Sequence, residues 1–375
     1  MWRLRRGELT AMPASYSPGN LLLQLHITDQ CNLRCAHCYQ GSFTDNGPPH
    51  EGLLAIVEQF REFLVSCKRH KYKNGIRGHL TVTGGEPFLR PDFMELLQSF
   101  SADRGLFSFA ILTNGTLIDR AAASRLGKLK PSFVQVSLDG VQETHDRIRG
   151  PGAFAKAVAG VRLLAKEGVR TFISFTAHSN NYQEFPSVVE IGRSLRVARV
   201  WADRLIPPPS GSFEKGGAQA PRGLSPTETL SFIRLMHRAQ GEKRRGGWFG
   251  SNRTQVPMHR ALQFLMGGGV PYRCSAGDSL IAVLPNGDVY PCRRLPIKCG
   301  NILEKPLAEI YHEDKTLRAL RDRGRVPEGC RKCFFATVCR GGLRCLSYAV
   351  TGSPFETDPG CWLGESAASC RQNIG

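Results

Sequence analysis

The sequence predicts an α/β protein: a parallel sheet with helical crossovers, followed by a small cysteine-rich domain that contains a β-hairpin. Three observations carry this expectation. Up to about residue 206, short aliphatic or β-branched runs alternate six times with segments of helical period. The stretch "PPPSGSFEKGGAQAPRG" then breaks the rhythm with the composition of a linker or long loop. From Cys274 onward, cysteines crowd the chain.

The first run, "LLLQLHI" (Leu21–Ile27), reads as a buried strand. In the segment after it, "EGLLAIVEQFREFLVSC", Leu53, Ile56, Val57, Phe60, Phe63 and Leu64 recur at i, i+3, i+4 spacing, which makes an amphipathic helix. Cys67 falls three residues beyond Leu64 on the same apolar face and is expected in the core. Further strands are "HLTVT", "FSFAILT", "FVQVSLD", "RTFISFT" and "ARVWADRLI". The helix "PDFMELLQSF" has Pro91 suited to its first turn, and "AFAKAVAGVRLLAKEG" ends in Gly168, suited to a C′ stop. No hairpin signal separates these units, so the strands run parallel, in a doubly wound sheet or an incomplete barrel.

Both folds place chemistry at the C-terminal ends of the strands. The unusual residues fall there: "CNLRCAHCYQ" after the first strand, "GGEP" (Gly84–Pro87) after the second, "TNGT" (Thr113–Thr116) after the third and "SLDG" (Ser137–Gly140) at the fourth. Beyond the linker, Ser225 is placed to cap a helix around "SPTETLSFIRLMHRAQ". In "IAVLPNGDVYPC", Asn286-Gly287 favours a type I′ hairpin turn.

The 375 residues can bury one large core, or one large and one small. Fifty Lys and Arg against 32 Asp and Glu give a formal charge of +18, which raises a nucleic-acid role. The basic residues are scattered, with only short runs such as "EKRRGG" (Glu242–Gly247), so an acidic peptide or small molecule fits at least as well as a nucleic acid. No apolar run reaches the roughly 18 residues of a membrane span. Residues 1–19 are basic and lack the apolar core of a secretory signal, so a cytoplasmic location is expected. In that compartment thirteen cysteines point to metal or redox chemistry rather than disulfides.

Cys31, Cys35 and Cys38 are spaced C-x3-C-x2-C. Three thiolates leave one metal position open, as a reactive site requires. By spacing alone, zinc with a fourth ligand elsewhere is also compatible. The context is more specific. "CNLRCAHCY", "GGEP", "TNGT" and "SLDG", in this order, resemble the radical S-adenosylmethionine (SAM) superfamily over about residues 20–206. The resemblance implies a partial (β/α)6 TIM-like barrel. In it, Cys31, Cys35 and Cys38 hold a [4Fe–4S] cluster whose open iron takes the amino and carboxylate groups of SAM. Reductive cleavage of SAM then gives a 5′-deoxyadenosyl radical that abstracts hydrogen from the substrate.

The resemblance also implies roles for single residues. Tyr39 flanks the adenine, Gly84, Gly85 and Glu86 bind the SAM amino group, and Asn114 and Ser137 contact ribose or carboxylate. Arg149, in "HDRIRG", pairs with the SAM carboxylate. The plain alternatives are that Ser137 is a strand-end hydroxyl and that Arg149 is a solvated surface arginine.

The C-terminal pattern of Cys274, Gly287 and Cys292, then Cys330, Cys333, Cys339 and Cys361, is similar to the SPASM extension of the same superfamily, as is "YAVTGSPFETDPGCW". That likeness covers about residues 270–365 and implies two auxiliary iron–sulfur clusters. The family pattern would place a cysteine at 343, where this chain has Leu343 and then Cys345. One cluster is thus expected on Cys330, Cys333, Cys339 and Cys361. The other falls to Cys274, Cys292 and Cys345, with Cys299, a non-cysteine ligand or an open position as the fourth. Zinc is the competing reading of Cys330-x2-Cys333, and Cys370 is expected to be free. Thiolate ligation would also offset on the order of five formal charges.

The implied division is an extension at 1–19, a barrel at 20–206, a bridging region at 207–270 and a SPASM domain at 271–375. SPASM-bearing members mostly modify peptides or proteins. The expected reaction is therefore hydrogen abstraction from a peptide or protein, leading to C–C or C–S bond formation or a related oxidation in maturation of a ribosomally made product. A small molecule such as a tetrapyrrole, in haem-type biosynthesis, is the alternative. A non-catalytic iron–sulfur electron carrier is disfavoured, because it needs no "GGEP". A closed apolar pocket would favour a tetrapyrrole, and an open groove a peptide. Expected partners are an electron donor such as a flavodoxin or ferredoxin and, because strand one starts about twenty residues in, either a separate leader-peptide-binding protein or the SPASM region itself in that role. Asp203, near Trp201 in "VWADR", is the candidate proton acceptor, with an ordinary ion pair as the alternative.

Overall fold

The computed structural model describes residues 19–44, 47–71, 76–207, 221–241, 254–267 and 272–363. The basic run at Glu242–Gly247, the residues before 19 and Cys370 lie outside the described residues. In chain order the elements are β1 (Asn20–His26), α1 (His50–Lys71), β2 (Arg77–Thr83), α2 (Phe93–Ser101), β3 (Phe107–Thr113), α3 (Arg120–Leu129) and β4 (Val134–Ser137). There follow α4 (Gln142–Arg149), α5 (Ala153–Lys166), β5 (Thr171–Ala177), α6 (Phe185–Ser194), β6 (Arg199–Arg204), α7 (Pro226–Gly241) and α8 (Phe264–Gly267). The chain then forms β7 (Leu280–Val283), β8 (Asp288–Tyr290), β9 (Gly300–Asn301), α9 (Leu307–Glu313), α10 (Lys315–Arg321), α11 (Ala336–Cys339) and α12 (Arg344–Thr351). All six expected strands form.

The chain gathers into two compact units that interleave in sequence. One comprises residues 1–32, 40–112 and 275–322, the other 33–39, 113–274 and 323–375. In the first, β1 pairs in parallel with β2, and β2 with β3. Alternate residues Leu21, Leu23 and Leu25 of β1, Leu80 and Val82 of β2, and Phe107, Phe109 and Ile111 of β3 are all buried. Helix α1 closes on this face at Gly78, where a Cβ would lie 2.4 Å from the Leu64 side chain, so only glycine lets helix and strand approach this closely. Each buried Leu or Phe contributes about 1.5–3 kcal/mol. Cys67 is buried in this core, as its spacing predicts.

The hairpin at Asn286-Gly287 forms, with Gly287 at φ +84° and β7 antiparallel to β8. Its sequence does not disclose where it docks: β7 pairs in parallel with β1, Leu23 opposite Ile281. Gln59 of α1 secures the following segment, donating to the Ile302 carbonyl and accepting from the Leu307 N–H.

In the second unit, β4 pairs in parallel with β5, and β5 with β6. Helix α6 covers the row that contains Ile173 and Val200, which Gly192 approaches closely. The opposite row is therefore turned away from the helices. Gly168, at φ +68°, follows α5 as expected. Ser225 and Glu228 form a reciprocal capping box at α7, with Glu228 N–H donating to Ser225 Oγ and Ser225 N–H to Glu228 Oε2. Pro91 stands two residues ahead of α2, not within its first turn.

Candidate active site

In the second unit, the cysteine loop turns tightly, Cys38 N–H reaching the Cys35 carbonyl, and Ala36 N–H donates to Ile148 at the end of α4. Between the two cysteines sits His37, whose Nε2 lies 2.9 Å from Asp139 Oδ2. Arg149 Nε donates to the same oxygen at 2.6 Å. Asp139 Oδ1 accepts from the Thr176 N–H of β5, and Asp139 N–H donates to His145 Nδ1. Arg149 Nη1 also comes within 3.8 Å of Cys35 Sγ.

Arg149 is thus not the solvated surface residue that its polarity allows. Its side chain is 10% exposed, because a fully buried carboxylate and a thiol take its charge. Burial opposes ionisation of Asp139, but the Arg149 guanidinium and His37 outweigh it and hold the carboxyl well below the usual range. Arg149 is correspondingly pushed up: burial disfavours its charge, and Asp139 and Cys35 more than compensate. Burial, then the Arg149 charge, brings His145 down to about 4. Tyr39, after the third cysteine, is half exposed.

In the first unit, the "GGEP" backbone lies flat on the chain that leads to Cys31. Gly85 N–H donates to Thr28 O, and Glu86 N–H to Gln30 O. A Cβ at Gly85 would stand 2.1 Å from Gln30 O, and one at Gly84 2.3 Å from Thr28 O, so neither position admits a side chain. Glu86 is fully buried and its Oε1 accepts from Phe88 N–H, capping the 3-10 turn Pro87–Leu89. Cys31 is half-buried.

At the strand ends of the second unit, Asn114 Oδ1 accepts from both the N–H and the hydroxyl of Thr116, forming a local turn. Ser137 stands opposite Ser174, which stands opposite Trp201, and Thr176 stands opposite Asp203. With Gln135, whose carbonyl accepts from Trp201 Nε1 at 2.8 Å, these residues form a face turned away from the helices that is polar apart from Phe172, which pairs with Gln135 and stacks on Phe133. Barrel interiors that serve as cores carry branched apolar residues instead. Asp203 Oδ1 accepts from Arg204 N–H, and Arg260 Nε lies 3.9 Å from its Oδ2. The Arg260 guanidinium also rests 4.6 Å from the centre of the Trp201 ring. Trp201 and Asp203 share a face as their spacing predicts. Gln135, Ser174 and Thr176 escape notice in the sequence, although strict alternation with Val136, Ile173 and Phe175 marks them.

Further along the second unit, Cys330, Cys333, Cys339 and Cys361 line one cavity with Phe264 and Phe335. Cys333 N–H donates to Cys330 O, and Cys361 N–H to Asp358 O. Burial pushes the Cys339 thiol up to about 12 and raises Cys330 as well. An all-thiol donor set in apolar surroundings suits iron–sulfur or zinc. Among the described residues, no three His, Cys, Asp or Glu side chains converge as ligands of a single ion. Cys345 is buried in the first turn of α12 and Cys274 is half-buried. Leu343 is buried just ahead of α12, its N–H bound to Asp358 Oδ2, so the position where the family pattern has a cysteine is packed here as core. In the first unit, Cys292 and Cys299 are half-buried, and burial, then Asp314, raises the Cys299 thiol.

The radical SAM superfamily model matches residues 25–191, and the iron-sulfur cluster-binding domain model matches residues 274–334. The chain is 29% identical over 358 residues to the AdoMet-dependent heme synthase of Methanosarcina barkeri, covering 91% of this chain and 95% of that protein. It is 27% identical over 357 residues to the PqqA peptide cyclase of Gluconobacter oxydans, covering 92% and 91%. Its fold matches Streptococcus suis SuiB bound to S-adenosylmethionine with a TM-score of 0.69 at 18% identity, covering 92% of this chain and 77% of that one. It matches anSMEcpe with bound AdoMet and a peptide at 0.71 and 22% identity, covering 92% and 95%. No described helix is long and apolar enough to cross a membrane. With the cysteine loop and "GGEP" on parallel strand ends and four further cysteines on one cavity, the chain belongs to the radical SAM superfamily, as an enzyme with a partial (β/α)6 barrel and a C-terminal SPASM-type iron–sulfur domain.

Proposed function

We propose that the enzyme abstracts hydrogen from a peptide or protein substrate. The observation that carries this reading is the polar face of Gln135, Ser174, Thr176 and Asp203. It offers donors and acceptors at the spacing of a strand, which an extended backbone can use, whereas a flat tetrapyrrole needs an apolar slot. A relative named PqqA peptide cyclase and the peptide in the anSMEcpe structure support it.

In this reading Cys31, Cys35 and Cys38 hold a [4Fe–4S] cluster, which with SAM supplies the 5′-deoxyadenosyl radical. Gly84, Gly85 and Glu86 receive the SAM amino group, the fully buried Glu86 carboxylate matching an ammonium. Ser137, Asn114 and Arg149 face ribose and carboxylate, and Tyr39 covers the adenine. Cys330, Cys333, Cys339 and Cys361 hold one auxiliary cluster, and Cys274, Cys292 and Cys345 contribute to a second. Asp203, with Arg260 3.9 Å away, would accept the proton released as the substrate radical passes its remaining electron to an auxiliary iron–sulfur cluster. An acidic electron donor of the flavodoxin or ferredoxin kind supplies the reducing electron.

The test is anaerobic turnover with SAM and reductant, reading 5′-deoxyadenosine. Peptide substrates should stimulate its formation, and Asp203→Asn should abolish product without abolishing SAM cleavage. A second reading, a tetrapyrrole substrate, is favoured by the relatives named AdoMet-dependent heme synthase and Pre-heme d1 synthase. Stimulation by an iron porphyrin bearing carboxylate side chains, with none by peptides, would establish it instead.

A further inference from the structure

Asp139 is fully buried, and it is not among the residues assigned to SAM or substrate. Its Oδ2 nevertheless accepts from the two groups that touch the cysteine loop. His37 Nε2 is at 2.9 Å and Arg149 Nε at 2.6 Å. His37 stands between Cys35 and Cys38 in the chain, and Arg149 reaches on to within 3.8 Å of Cys35 Sγ. The carboxylate itself cannot drift, because Oδ1 is held by the Thr176 N–H in β5. The loop is also pinned at Ala36, whose N–H donates to Ile148, one residue before Arg149. Strand β5, the end of β4 and the end of α4 thus converge on one loop through a single carboxylate.

We propose that Asp139 is a positioning residue for the cysteine loop: through His37 and Arg149 it fixes the Cys35–Cys38 turn and sets the charge felt at the Cys35 sulfur, and hence the reduction potential of the cluster there. The inference rests on the reading that these cysteines bind an iron–sulfur cluster. Hydrogen bonds and charges around ligating sulfurs are among the main controls on such potentials. Adding an electron to a cluster is favoured by a nearby positive charge and opposed by a negative one, and both act strongly where water is excluded. Arg149 comes within 3.8 Å of the sulfur, and Asp139, bound to its Nε, partly cancels its charge.

The two substitutions therefore have opposite signs. Arg149→Gln removes the positive charge and lowers the potential. Asp139→Asn leaves Arg149 uncompensated and raises it. Arg149→Lys keeps the charge and returns the potential towards that of the wild type. A plain structural ion pair would respond differently, with iron lost and stability reduced in all variants and no signed shift in the cluster that remains.

The experiment is an EPR-monitored redox titration of the anaerobically reconstituted full chain. The relevant signal is the one missing from the Cys31/Cys35/Cys38→Ala variant, and iron per chain is measured alongside. Opposite shifts for Arg149→Gln and Asp139→Asn, with Arg149→Lys near the wild type, are expected. Shifts of the same sign, or none, in variants that keep their iron would overturn the inference and leave the cluster reading intact. Wild-type protein without any iron that the triple variant lacks would overturn the cluster reading itself. If Asp139→Asn does not fold, the Arg149→Gln and Arg149→Lys pair still decides: equal potentials in those two would refute the role of charge.

Discussion

Arg204 and Asp358 form a two-pronged buried ion pair, Nη1 to Oδ1 at 2.8 Å and Nη2 to Oδ2 at 2.6 Å. The same carboxylate accepts from Gly360 N–H and Leu343 N–H. The last residue of β6 thereby organises the turn before Cys361 and the start of α12. Removing one partner of such a pair leaves an uncompensated buried charge. Arg204→Met should therefore cost about 3–5 kcal/mol in a urea titration. With the ligands proposed above, it should also release the iron of the Cys330, Cys333, Cys339 and Cys361 site and spare that of the loop at Cys31–Cys38.

Iron counting tests the cluster assignments as a set. Three [4Fe–4S] centres give about twelve irons per chain, falling by about four in the Cys31/Cys35/Cys38→Ala variant. About four irons, all lost in that variant, would mean that the C-terminal cysteines hold zinc or nothing.

Buried histidines make stability sensitive to mild acid. Burial, then the Arg321 charge, brings His312 down to about 4, and burial, then Arg293, brings His26 down to about 3. The unfolded chain takes up protons near 6.5 while the folded chain stays neutral. Stability is thus full above about pH 6.5 and falls as pH drops towards 4, by up to about 1.4 kcal/mol per pH unit for each histidine. His312 packs edge-on against Phe63 and Tyr311, so His312→Phe keeps the aromatic contacts. In unfolding titrations between about pH 7 and about pH 5, this variant should show a slope smaller by about one proton.

The capping box offers a local check. Ser225→Ala removes the hydroxyl that caps Glu228 N–H and should cost about 1 kcal/mol. Glu228 is brought down to about 2 by the hydrogen bond from Arg222, against a burial penalty. Its share of the cap is therefore complete above about 4.5 and is lost as pH falls towards 2. The Ser225→Ala penalty should shrink over that range, as read by thermal melts at matched ionic strength.

What the sequence discloses follows from how local each signal is. β1 to β6 are legible because every strand carries its own aliphatic run and every crossover its own helical period. The capping box is legible because Ser225 and Glu228 are three residues apart. The cysteine loop and "GGEP" are legible because short motifs carry the chemistry. The pairing of β7 with β1 is not, since no residue in either strand names its neighbour. Arg149 misleads for the same reason: an arginine looks solvated until the carboxylate that buries it is known. That carboxylate, Asp139, lies 102 residues from His37. Its own motif marks it as a strand-end residue and says nothing of what it holds.

The division of labour across β4, β5 and β6 has an evolutionary consequence. Val136, Ile173, Phe175 and Val200 hold the sheet to its helices, whereas Gln135, Ser137, Ser174, Thr176 and Trp201 alternate with them on the other side. On the function proposed above, folding and selectivity fall, Phe172 apart, on alternate letters of the same strands. Mutation can explore one set with little penalty to the other. On that reading, a lineage built this way can change what it acts upon by drifting along a single face, without first reinventing the scaffold beneath it.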